Sequence, residues 1–339
     1  MDGVKMIQVI PSYAAVGEGA LYVMESVEND FNNLLMTTGI SELQEGVKDL
    51  GAKLKSNKVL EGLKEVVKKA WAYIQGLFEK ALSWLKDKTK SVKKAIDNAV
   101  RSVDKKVTGG IENKIAKFLN GLDADKEYNF GTTIGGPAAN IANNKYIDEV
   151  DKLIDKCAKL FESYMASDEK DLAGYADDLN DIREFRDEII AGCKDLYQPR
   201  EVDVKYLTDW YKQMVMDVTN YPSTSSTLKK SFNDSKKQIK KMSDAIDKSA
   251  KSAEASVKSD VSKCAQLIKS GIQAITAVDN EICSALAKKV SSDARIIVKI
   301  YAGVVKEVEK EAKEEEKVSE SANVEASSFQ TELASLFNF

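Results

Sequence analysis

The chain has 339 residues, 43% hydrophobic and 31% charged, with a net charge of −4 and only four prolines. Histidine is absent, which excludes Ser-His and Cys-His nucleophilic mechanisms, histidine-bearing zinc sites and a histidine pH switch. Aromatic residues make up 7%; with abundant Lys, Glu, Ala and Leu, this argues against an all-β sandwich and predicts long helices.

Charge is unevenly spread. Residues 45–120 hold roughly 18 basic and 9 acidic side chains, and residues 121–204 roughly 10 and 20. Opposite blocks of this kind can fold onto one another. The alternative use of the basic block is contact with phosphate or anionic lipid. Arg101 is its only arginine, and base readout favours arginine, so sequence-specific nucleic-acid recognition is not expected.

Residues 1–40 form an N-terminal segment with the one strand-like run, Met6 to Ile10, closed by Pro11. A helical series follows through Leu21, Met24, Val27, Phe31 and Leu34. The segment lacks the cationic lead of a secretory signal, so the expected location is the cytoplasm or a virion.

Residues 41–120 form a basic amphipathic region. Leu60, Leu63, Val67, Ala70, Ile74, Leu77, Ala81 and Leu85 recur at threes and fours, which predicts one long helix with an apolar seam. Trp71, Phe78 and Trp84, opposite Lys64, Lys68, Lys69, Lys86, Lys88 and Lys90, resemble part of a membrane-surface helix. Ala70 and Ala81 narrow the seam, and the spacing is what helix-on-helix packing requires. Packing is therefore the expectation, with membrane or partner contact through the three rings as the alternative.

Residues 121–144 include NFGTTIGGPAANIANN, whose Gly, Asn and Pro content predicts a connecting linker. The segment has neither a Walker lysine nor a dinucleotide-binding glycine spacing. Residues 145–222 form an acidic helical region. Its stripes run through Ile147, Val150, Ile154, Cys157 and Phe161, then through Leu179, Ile182, Ile189 and Cys193. The carboxylates in DEVDKLID and DDLNDIREFRDE are spaced as a solvated face, and a calcium-binding loop is missing. Cys157, Cys193, Cys264 and Cys283 lie far apart, each in an apolar register, and read as small core residues.

Residues 223–318 are expected to form a long helical hairpin. Ile239, Met242, Ile246, Ala250, Ala253, Val257, Val261, Cys264, Ile268, Ile272 and Ile275 follow an eleven-residue repeat, which predicts one nearly straight rod. A break at Ser291-Ser-Asp and a return helix through Ile297, Tyr301, Val304 and Val308 complete the hairpin. Residues 319–339 form a polar spacer, helical and then mobile, with an apolar tail carrying Phe337 and Phe339.

Three steps place an apolar residue two positions before a glutamate that precedes a small residue, or nearly so. They are Val16-Gly17-Glu18 before Gly19, Val23-Met24-Glu25 before Ser26, and the looser Asn323-Val324-Glu325 before Ala326. In these steps, and in its Lys- and Glu-rich helices, the chain resembles head-interior proteins of large tailed bacteriophages. The resemblance implies a virion structural or co-ejected protein, with Glu18 and Glu25 as processing positions.

The expectation is an all-α protein, an elongated multi-helix bundle with long coiled-coil-like helices. It would act non-enzymatically in structure or assembly, through protein partners, self-association or a larger assembly. The packing faces are Leu60, Leu63, Val67, Ile74, Leu77, Leu85, Ile239, Met242, Ile246, Val257, Val261, Ile268, Ile272 and Ile275. No catalytic residue, metal or cofactor is expected. The alternative is a membrane-active helical protein of the pore-forming kind, although no strongly apolar insertion segment stands out.

Overall fold

The computed structural model describes residues 56–104, 111–123, 128–166, 174–219, 221–252 and 261–337. The fold is all-α. Its elements are α1 (Ser56–Asp104), α2 (Ile111–Asn120), β1 (Thr132–Ile134), α3 (Ala138–Ala142), α4 (Tyr146–Ala166), α5 (Tyr175–Leu196), β2 (Pro199–Glu201), α6 (Val204–Thr219), α7 (Tyr221–Ser252) and α8 (Val261–Phe337). The two strands form a small antiparallel ribbon in which Thr133 faces Arg200. The strand-like run from Met6 to Ile10, the helical series after it, and Glu18 and Glu25 lie outside the described residues.

Helix α8 organises the rest. It has 77 residues, about 115 Å at ~1.5 Å per residue. Helices α1, α4, α5 and α6 all pack on it, while α7 packs on both α1 and α4. Glycine at two positions permits close approach. A Cβ on Gly271 would collide with Met242 of α7 and Ile154 of α4, and one on Gly303 would collide with the Phe118 ring of α2.

Two apolar cores share α8. The larger draws on α1, α4, α5, α7 and α8 up to Val290. The smaller joins α2 and α6 to α8 from Ala294 to Val308, with Phe130 and Val202. The seam positions Leu60, Leu63, Val67, Ile74, Leu77 and Leu85 are all buried on α1. Ile239, Met242 and Ile246 are buried on α7, and Ile268, Ile272 and Ile275 on α8. Val257 lies outside the described residues, and Val261 is the first residue of α8.

The single rod expected through residues 239–286 is not what forms. Ser235 on α7 donates to Asp279 on α8 at 2.9 Å, whereas a step of 44 positions in one helix would separate them by about 66 Å. Met242 meets Gly271 further along. Helices α7 and α8 are therefore antiparallel, and the apolar stripes that read as one seam enter one shared core, that of α7 chiefly against α1 and α4. Burying both stripes in that core removes more apolar surface from water than an extended rod would.

The expected break at Ser291-Ser-Asp is continuous helix instead. Ser292 Oγ donates to the Lys289 carbonyl at 2.9 Å, and Asp293 pairs with Lys289 one turn away at 2.8 Å. These polar side chains are satisfied inside the helix, so they do not end it. The chain holds no Gly or Pro after Gly303, and α8 runs helical across the expected mobile spacer to Phe337. The polar run after Asn220 likewise begins α7, with Pro222 in its first turn, where its missing N–H costs nothing.

Candidate functional site: a buried ionic node between two cores

The stretch expected to be a linker is docked. Lys299 Nζ donates to the carbonyls of Asn129 and Phe130, each at 3.1 Å. The Val202 amide bonds to the Gly131 carbonyl at 3.0 Å, and Tyr197 Oη donates to the Ile141 carbonyl at 3.0 Å. Docking satisfies backbone groups that a free Gly-rich segment would leave to water.

Its strand β1 completes a charged cluster at the junction of the two cores. Lys289 is 1% exposed, Asp293 0% and Asp217 6%. The Lys289 ammonium contacts Asp293 Oδ2 at 2.8 Å and the Ile134 carbonyl at 3.2 Å. It also stands 3.4 Å from Asp217 Oδ2. Thr133 Oγ1 donates to Asp293 Oδ1 and lies 3.1 Å from Ser292 Oγ. Asp217 accepts from the Ala138 amide at 3.0 Å and from Gln213 Nε2 at 2.8 Å.

All four carboxylate oxygens thus accept a hydrogen bond, and the ammonium donates two with the Asp217 carboxylate beside it. Burial pushes the Asp293 carboxyl up from its ordinary range, opposed by the charge and hydrogen bond of Lys289. Truncating one member of such a set strands the others in a low-dielectric interior, at a cost of about 3–5 kcal/mol. With α6, α8, β1 and the start of α3 each contributing a group, the node fixes the register of four elements.

A second buried acid stands alone. Asp279 is 2% exposed, its Oδ1 held only by Ser235. Among the described residues its Oδ2 has no hydrogen-bond partner. Burial pushes this carboxyl up to about 8, slightly offset by the serine. The four cysteines are buried and free. Burial pushes Cys157 and Cys193 up to about 12 and Cys283 higher still. Thiolate chemistry is suppressed at such sites.

The aromatic residues singled out on α1 are engaged within the chain. Trp71 stacks on Phe232 of α7 at 5.0 Å, and Phe78, buried, lies 4.9 Å from the same ring. Trp84 is half-buried against the larger core. Phe337 ends α8, and Phe339 lies outside the described residues. Among the described residues no cluster of acidic or cysteine side chains is arranged to hold a metal, and no helix is long and apolar enough to cross a membrane.

Sequence reasoning missed Lys289, Asp293, Asp217, Thr133 and Asp279. The signal was present. Lys289 and Asp293 sit inside the series Ile282, Leu286, Lys289, Asp293, Ile297 and Ile300, as charged residues in apolar register at one helical turn. Comparison with protein families, curated proteins and solved structures returns no match for this chain.

Proposed function

We propose that this chain is a non-enzymatic structural or assembly protein that works through its helix surfaces. The observation that carries the reading is the ionic node. The charged groups with the most reactive surroundings, Lys289, Asp217 and Asp293, are consumed by one another and by the backbone. They brace a helix far longer than either core that it joins. A virion interior as the setting belongs to the same proposal and rests on the steps at Glu18 and Glu25. A mature N-terminus at Gly19 or Ser26 would support it.

The membrane-active alternative draws on the rings of α1, yet Trp71 and Phe78 have partners on α7. Vesicle flotation at high salt, with neutral and with anionic lipid, discriminates the two readings. The structural reading predicts no co-flotation. Salt-resistant flotation with neutral vesicles would contradict it.

A further inference from the structure

We propose that the chain assembles with further copies of itself, the lysine face of α7 and α1 on one copy receiving the acidic outer face of α5 from the next. This rests on the structural reading above and names its partner.

The receiving face is a patch built from two helices. Lys229, Lys230, Lys236, Lys237 and Lys240 are exposed on α7. Helix α1 runs antiparallel beside it, fixed by Lys64 against Asp247 at 2.5 Å and by Trp71 beneath Lys236 at 5.8 Å. That alignment brings the exposed Lys68 to the level of Lys236 and Lys240. Asp234, half-buried within the lysine series itself, Glu65, 3.7 Å from Lys68, and Asp244 and Asp247 are the carboxylates near the patch.

Neutralisation inside the chain stops short of this face. The acids of α4 take other lysines of α7: Lys241 pairs with Asp151 at 2.7 Å and Asp155 at 2.9 Å, and Lys248 with Glu162. Lys230 reaches only Asn143, at 3.3 Å. Among the described residues no ion pair engages Lys229, Lys236, Lys237 or Lys240.

Helix α5 carries the complement. Tyr175, Leu179, Ile182, Ile189 and Cys193 bury its inner side. Asp177, Asp181, Glu184 and Glu188 are exposed on the other side, without an ion pair to any described residue. Arg183 and Arg186 bond to Gln266 and Gln273 of α8 at 2.6 and 2.7 Å, and Arg186 also pairs with the neighbouring Asp187 at 2.8 Å. The row continues through Asp195 to Leu196, a large apolar residue left 47% exposed.

The spacings match. The acids step by 4, 3 and 4 residues, and Lys229, Asn233, Lys236 and Lys240 step identically, so three lysines and one neutral asparagine fall opposite the four acids over three turns of two apposed helices. Because the two faces differ, each copy keeps one of each free after docking. The contact is heterologous and builds a ring or an open chain of copies. It is made of exposed charges, so salt weakens it as the screening length falls from about 10 Å at 0.1 M to about 3 Å at 1 M.

Analytical ultracentrifugation of the full chain over a concentration series, at low and at ~1 M salt, tests this. One variant combines Asp181→Lys with Glu184→Lys, and a second combines Lys236→Glu with Lys240→Glu. The wild type is expected to gain mass with concentration at low salt and return to a single chain at high salt. Each variant alone stays a single chain with unchanged circular dichroism, and the equimolar mixture of the two regains mass. A wild type that stays a single chain at low salt overturns the proposal. So does association that resists high salt, association that both variants retain, or a mixture that stays dissociated. Capture of a phosphatidylserine vesicle or a DNA duplex by the same lysines, without self-association, also overturns it. Vesicle flotation at high salt reads the structural proposal separately, so the two can fail independently.

Discussion

Replacing Asp279 by asparagine should flatten the dependence of stability on pH. The carboxyl is held at about 8 by burial in the folded chain, against a free value of 3.8. The folded chain therefore keeps a proton that the unfolded chain releases. Its stability contribution is fully present below about pH 4 and is lost as pH rises towards 8, by about 1.4 kcal/mol per pH unit. At pH 7 the accumulated loss is about 4 kcal/mol, a large share of the 5–15 kcal/mol typical of a folded domain. Asparagine matches the shape, can exchange a hydrogen bond with Ser235, and does not titrate. Urea denaturation of both proteins at pH 4.5, 6, 7.5 and 9 gives the difference directly. The variant should gain on the wild type steadily up to about pH 8, then hold a constant lead. Parallel profiles across the series would refute the burial argument.

Three further outcomes follow from other contacts. Lys289→Met should cost about 3–5 kcal/mol at pH 7, because it strands Asp293 and Asp217, and the loss should shrink at acid pH as Asp293, pushed up by burial, takes up a proton. A loss below about 1 kcal/mol in urea denaturation would contradict the node. Gly303→Val should displace the Phe118 ring and cost about 1–3 kcal/mol, with the change in α2 visible as faster amide hydrogen exchange. Glu311, held by Lys114 at 2.8 Å and Lys117 at 2.6 Å, has its carboxyl lowered to about 2 by those two lysines. Its tie between α2 and α8 is present above about pH 4.5 and lost as pH falls towards 2, which a carboxyl NMR titration would read.

The apolar stripes of α1, α4 and α5 were legible because each helix buries one continuous face, and spacing alone encodes that. Direction was not. The eleven-residue pattern from Ile239 to Ile275 reports which residues are buried, but two antiparallel helices sharing one core produce it as readily as one rod. No Gly or Pro interrupts the sequence between Ser252 and Val261 to signal otherwise. Ser291-Ser-Asp misled in the opposite sense, because polar residues that read as a break in isolation are satisfied by Lys289, Thr133 and the backbone. The node itself joins residues up to 160 positions apart. No local pattern contains such a pairing, and the Gly-rich stretch that carries Thr133 resembles a spacer until its partners are in place.

The antiparallel placement of α7 and α8 in one core is the claim on which the rest depends, and one distance tests it. Spin labels on exposed Lys229 of α7 and Lys288 of α8, introduced as cysteines, are suited to pulsed dipolar spectroscopy because the native thiols are buried. Antiparallel packing, with helix axes about 10 Å apart, predicts a separation under about 30 Å. A population centred near 90 Å, the length of about 59 residues in one straight helix, would contradict the fold and everything derived from it.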